Sequence, residues 1–110
     1  MNKLTKSELM KIYNKGENLL GKPIFIIFKA DWWGPCRMFK QVLSGVVPEY
    51  SNKINFYEVD VEEEMEMASL FNARSLPTVV MIRKNGSTEN AIGGMDESTL
   101  KYWLGGLTSE

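Results

Sequence analysis

Ile24-Phe25-Ile26-Ile27-Phe28 is an unbroken apolar run. A strand built from it presents hydrocarbon on both faces and must be covered on both, so it belongs in the middle of a sheet. The run leads into Trp32-Trp33-Gly34-Pro35-Cys36-Arg37, and then into a segment with helical spacing from Met38 to Val47. A strand that turns through Gly-Pro into a helix sets the turn at the C-terminal edge of the sheet. Open α/β folds place their chemistry there, and the helix aims its first N–H groups at the same spot. Pro35 suits a first helical turn, because its φ is already fixed and its missing N–H had no partner to lose. Cys36 then falls within that turn, where the helix dipole favours a thiolate.

With 110 residues, of which 44% are hydrophobic and 25% charged, the chain can bury a core of its own, and residues 1–110 read as one domain. A net charge of −1 gives no electrostatic ground for a nucleic-acid or anionic-membrane partner. The single cysteine excludes an intrachain disulfide, and with no histidine in the chain the usual Cys/His zinc site is excluded as well. No metal and no cofactor is implied. The first twenty residues are mostly polar, with Lys3, Lys6, Glu8 and Lys11 among them. They read as neither a signal peptide nor a membrane span, and the expected location is the cytoplasm.

Taken in order, Thr5-Lys6-Ser7-Glu8 has the spacing of a capping box, followed by Leu9, Ile12 and Tyr13 on one helical face. Gly16, Gly21 and Pro23 close that region. After the Gly-Pro turn, Met38, Phe39, Val42, Leu43, Val46 and Val47 recur at helical spacing, and Pro48 marks a kink or an end. Ile54 to Val61 alternates as a strand. Glu62 to Phe71 reads as a helix, with Glu62-Glu63-Glu64 as its first turn and Met65, Ala68, Leu70 and Phe71 turned inward. Met67, Met81 and Met95, like Met65, read mainly as core-filling residues. Val79 to Ile82 is a strand, Asn85-Gly86 signals a tight hairpin, and Thr88 to Ile92 returns as an antiparallel edge strand. Asp96 caps a last helix through Leu100, Trp103 and Leu104. A short strand near Lys3-Leu4 completes a parallel βαβ half joined to a β-hairpin.

The turn resembles the Trp-Cys-Gly-Pro-Cys signature of the thioredoxin family, with Trp33 standing where the first cysteine would be. Ser75-Leu76-Pro77-Thr78, about forty residues past Cys36, resembles the family's loop with a cis proline, whose preceding backbone pairs with an extended substrate. Gly93-Gly94, the Lys84-Asn85-Gly86 hairpin and Val59-Asp60-Val61 are further matches. The resemblance runs from about Thr5 to Leu104. It implies the thioredoxin fold, an α/β architecture with a central mixed sheet of four or five strands and helices on both faces. It also implies protein-disulfide exchange on protein substrates, in a monomer served by a thioredoxin reductase. In the family the first cysteine attacks and the second resolves the mixed disulfide.

The departures cluster at the chemistry. Trp33 replaces the attacking cysteine, and Cys36 keeps the resolving position. Ile27 stands at the family's buried aspartate, Glu58 at a lysine near it, and Lys29 at an aromatic residue beside the turn. Four changes in one neighbourhood read more as a lineage that gave up dithiol exchange than as an engineered inactivation at Trp33, which would leave the other three positions alone. Cys36 is either a reactive thiol, favoured by the helix start and Arg37, or an inert core cysteine. Trp32 and Trp33 form either an exposed aromatic platform for a partner or a filler over the turn.

Two functions follow. In the first, the chain lacks the dithiol cycle and retains at most monothiol exchange through Cys36, which an outside thiol must clear. In the second, Trp32, Trp33, Gly34, Pro35, Leu76, Pro77 and Gly94 form a groove that holds an extended partner segment without chemistry. An iron–sulfur cluster bridged through Cys36 lacks further ligands in the sequence.

Overall fold

The computed structural model describes residues 1–109. Its seven strands are β1 (Asn2–Lys3), β2 (Tyr13–Asn14), β3 (Glu17–Asn18), β4 (Ile24–Lys29), β5 (Asn55–Asp60), β6 (Thr78–Ile82) and β7 (Thr88–Ile92). Its helices are α1 (Lys6–Ile12), α2 (Gly34–Tyr50), α3 (Met65–Leu70) and α4 (Glu97–Thr108). The main sheet has the order β1-β5-β4-β6-β7, with β4 parallel to β5 and antiparallel to β6. The apolar run is therefore central, and all of β4 is buried. This is the mixed five-stranded α/β arrangement that the sequence reading expects.

Alternation along β4 divides the core in two. Phe25 and Ile27 pack with Phe39, Leu43 and Val46 of α2 and with Leu100 and Leu104 of α4. Ile24, Ile26 and Phe28 pack with Leu9 of α1 and Met67 of α3 on the opposite face. Thr5 caps α1 through a reciprocal box with Glu8, and Asp96 caps α4 by accepting from the Thr99 N–H at 2.8 Å.

Several local expectations need correction. Met38 is exposed, because α2 buries the arc through Cys36, Phe39, Leu43 and Val46, and position 38 lies outside it. α2 also continues through Pro48 to Tyr50, so of the two expectations there, a kink or an end, the end is overturned; the Ser44 carbonyl that Pro48 cannot serve belongs to an exposed residue. α3 starts only at Met65, so Glu62-Glu63-Glu64 form a turn before the helix rather than its first turn. Met67 faces the core from this short helix, which leaves Met65 and Leu70 exposed. β2 and β3 form a small antiparallel hairpin that the sequence reading did not anticipate. Its tip meets the β6–β7 turn, where Gly86 has φ +89° and a Cβ would stand 1.9 Å from the Gly16 carbonyl oxygen. No other residue fits that approach.

Candidate functional site

β4 ends at Lys29, and the chain reaches α2 through Ala30 to Trp33. The Trp33 N–H donates to the Ala30 carbonyl at 3.1 Å, and the Arg37 N–H donates to the Trp33 carbonyl at 3.1 Å. Trp33 is the N-cap residue, with extended backbone and no side-chain capping bond. Gly34, Pro35 and Cys36 follow as the first helical residues, so the cysteine sits in the first turn as expected. Arg37 reaches back, its Nη1 donating to the Trp32 carbonyl at 2.9 Å.

On the outer side of this turn the indoles are well exposed, Trp32 at 62% and Trp33 at 42%. They meet edge to face with ring centroids 5.7 Å apart. Trp32 Nε1 donates to Glu62 Oε1 at 2.7 Å, and Trp33 Nε1 donates to the Leu76 carbonyl at 3.2 Å. The Leu76–Pro77 peptide bond is cis. The Pro77 carbonyl accepts from the Gly93 N–H at 2.8 Å, which ties the loop to the end of β7. A Cβ at Gly94 would stand 3.3 Å from Phe39 Cβ, so the lack of a side chain keeps this segment close to α2. The turn, Leu76-Pro77 and Gly93-Gly94 thus share one sheet edge. Pro35 and Gly94 are exposed there, Gly34 and Leu76 half-buried, and Pro77 buried.

The inner side is different. Cys36 is only 4% exposed and borders a cavity of about 20 Å³ with Ile27, Lys29, Asp31, Leu43 and Glu58. That volume holds about one water. Lys29 is 5% exposed, yet its ammonium lies 2.6 Å from Asp31 Oδ1 and 3.9 Å from Glu58 Oε1. The hydrogen bond from Lys29 holds the Asp31 carboxyl below its ordinary range, while partial burial pushes the other way. Ile27 and Glu58 are register partners on β4 and β5. The cluster brings together three positions that the sequence reading singled out and adds Asp31, which it passed over. Alternation with Phe25 and Ile27 already pointed Lys29 inward, and an acidic residue two positions on was the available signal. Glu62, the Trp32 acceptor, reads in the sequence only as part of a helical turn.

The sequence model of the Thioredoxin family matches residues 3–105. A thioredoxin of Borreliella burgdorferi is 32% identical over 80 residues, covering 73% of this chain and 68% of that protein. The chloroplastic M-type thioredoxin of Spinacia oleracea is 36% identical over 78 residues, covering 71% of this chain but only 43% of that one. Thus the match spans less than half the length of the spinach relative. Among solved structures, Fasciola hepatica thioredoxin superposes with a TM-score of 0.81 at 28% identity, covering 97% of this chain and 99% of that one. Chloroplastic thioredoxin z gives a TM-score of 0.83 at 20% identity over 100% and 96% of the two chains, a likeness of fold. No helix among the described residues is long and apolar enough to cross a membrane. With the family model covering nearly the whole chain, and the turn, the proline loop and the glycine pair gathered at one sheet edge, the chain belongs to the thioredoxin family.

Proposed function

We propose that this thioredoxin-family protein does not run the dithiol cycle, and that its groove at Trp32, Trp33, Pro77 and Gly94 holds an extended segment of a partner protein. One observation carries the reading. The chain's only thiol is buried toward the inner cavity, while an indole occupies the position from which a family member attacks. Exchange requires a thiolate that reaches a disulfide in line, and release requires a second thiol nearby. Neither requirement is met at this turn. The outer side still offers what peptide capture needs, an aromatic surface at Trp32 and Trp33 beside a loop whose Leu76 N–H has no protein partner among the described residues.

Residual monothiol exchange through Cys36 is the competing reading, and the helix start with Arg37 beside it speaks for that reading. It requires the first turn of α2 to open. Dithiothreitol-driven reduction of insulin, followed by turbidity, separates the two. The unchanged chain should match reductant alone, and clear acceleration would sink the binding reading. A single cytoplasmic domain acting as a monomer on protein partners completes the proposal. Docking to a thioredoxin reductase belongs to it too, tested by whether this chain competes with an active thioredoxin for that enzyme.

A further inference from the structure

We propose that Trp33 is a lid latched over the backbone edge of the Pro77 loop, and that a partner segment enters the groove only after this indole swings away. The proposal rests on the groove reading above. An extended segment pairs with a loop or strand edge through the N–H and C=O of the same residue. At Leu76 the carbonyl is already taken by Trp33 Nε1–H at 3.2 Å, whereas the Leu76 N–H has no protein partner among the described residues. Half of the pairing edge is therefore occupied from within the chain. Pro77, the next residue, is buried although its loop lies at the rim of the site.

The latch is built to open. Trp33 precedes the first residue of α2 and its side chain caps nothing, so a change of rotamer leaves the helix bonds intact. Its solvent side is open, at 42% exposure. Trp32, tethered to Glu62 at 2.7 Å, braces the Trp33 ring edge to face and favours the closed position. The hold on Leu76 is one neutral hydrogen bond, which shifts an equilibrium by only about two- to tenfold. A ligand that pairs with both Leu76 groups outweighs it.

The test uses the full chain and an acetylated, amidated hexapeptide of alternating valine and threonine as the probe. Nitrogen-15 spectra, with W33F to assign the signal, report exchange of the Trp33 indole proton. It should exchange about two- to tenfold more slowly than in N-acetyltryptophanamide. W33F keeps an aromatic ring against Trp32 but loses the donor, and it should bind the hexapeptide about two- to tenfold tighter than the unchanged chain. Exchange at the free rate overturns the latch. Slow exchange with equal or weaker W33F binding leaves a contact that gates nothing and overturns the lid. If neither chain binds the hexapeptide, the groove reading fails and the gate goes with it, whatever the indole shows.

Discussion

The two sides of the β4–α2 turn depart to different degrees from the pattern that the family resemblance implies. On the outer side one residue, Trp33, departs from the family pattern, and the Gly-Pro turn, the proline loop and the glycine pair keep their places around it. On the inner side Ile27, Lys29 and Glu58 all depart, and an ammonium bridging two carboxylates borders the cavity beside Cys36. A peptide groove requires shape and backbone groups, which many side chains leave intact. Proton transfer to a buried thiol requires a titratable group at one spot, and here that spot holds hydrocarbon. On the function proposed above, recognition outlasts catalysis because a groove tolerates more substitutions than a proton-transfer site does.

The largest expected effect tests whether the outer side has kept its capacity. Trp33→Cys recreates two thiols across the Gly-Pro turn and frees the Leu76 carbonyl in the same step. Attack by the new thiolate on a substrate disulfide forms a mixed disulfide. Cys36 then displaces it, releasing reduced substrate and leaving a disulfide between positions 33 and 36 for dithiothreitol to reduce. An intramolecular resolving thiol should speed that release by several orders of magnitude over an outside thiol. Insulin reduction should therefore rise from background to clear turnover. Adding Ile27→Asp alone is not enough to repair the inner side, because position 27 is the register partner of Glu58 and two carboxylates would meet. Pairing Ile27→Asp with Glu58→Lys should raise the rate further. A folded but inactive Trp33→Cys would show that the outer side has diverged as far as the inner one.

Next in size is the accessibility of the inner thiol. Cys36 at 4% exposure should react with iodoacetamide about 100-fold more slowly in the native chain than in urea, the ratio that an opening free energy of about 3 kcal/mol imposes. Fast native labelling would mean that the inner side communicates with solvent, and it would revive monothiol exchange.

How much of this was legible in the sequence follows the same division. Where a feature depends on its own neighbours, the residues announce it. Ile24–Phe28 is apolar on both faces, Thr5 and Glu8 have cap spacing, and Asp96 precedes a helix. The residues of the proposed site could be named for the same reason, since Trp33, Cys36, Leu76, Pro77 and Gly94 lie in short recognisable stretches. Part of what escaped depends on partners far along the chain. Lys29 breaks the apolar pattern of β4, and only the pairing of β4 with β5 brings Glu58 to it. The β2–β3 hairpin turns on Lys15 at φ 51° beside Gly16, and lysine gives no warning of that conformation. Periodicity alone turns Met38, Met65 and Leu70 inward, although all three are exposed, because it marks a stripe but not its width.

A third comparison sets stability on the two sides against each other. Lys29→Met keeps the stem but removes the ammonium, leaving Glu58, whose side chain is 13% exposed, facing the cavity unpaired. Unfolding in urea should show a loss of about 1–3 kcal/mol. The double change with Glu58→Leu should regain most of it, since an apolar pair replaces the ions. On the outer side Ile92→Ala, at an exposed residue beside the glycine pair, should stay within about 0.5 kcal/mol. Equal losses at the two positions would remove the contrast between a built inner cluster and a surface groove.

The smallest expected effect is the acid response of the inner cluster. The Lys29 hydrogen bond holds the folded Asp31 carboxyl below the ordinary 3.8 that it regains on unfolding. In the window between those two values the unfolded chain binds more protons, so stability rises with pH there. The contribution is fully present above the ordinary carboxylate range and is lost as pH falls through the folded value. It is modest, because the Asp31 side chain is 64% exposed and solvent screens the pair. Asp96 and Glu8 are lowered as well, by hydrogen bonds from Thr99 and Thr5, so they add to the same slope from the helix caps. Urea midpoints measured from pH 6 downward should therefore fall in acid for the unchanged chain, and fall less for Asp31→Asn. Lys29→Met should flatten the curve further, because protonation in acid also relieves the unpaired Glu58, and adding Asp31→Asn to it should change nothing more, because the lysine is what lowers the Asp31 carboxyl. If Asp31→Asn flattens the curve equally with and without Lys29, the two residues do not share one interaction. The inner cluster would then reduce to the Lys29–Glu58 pair.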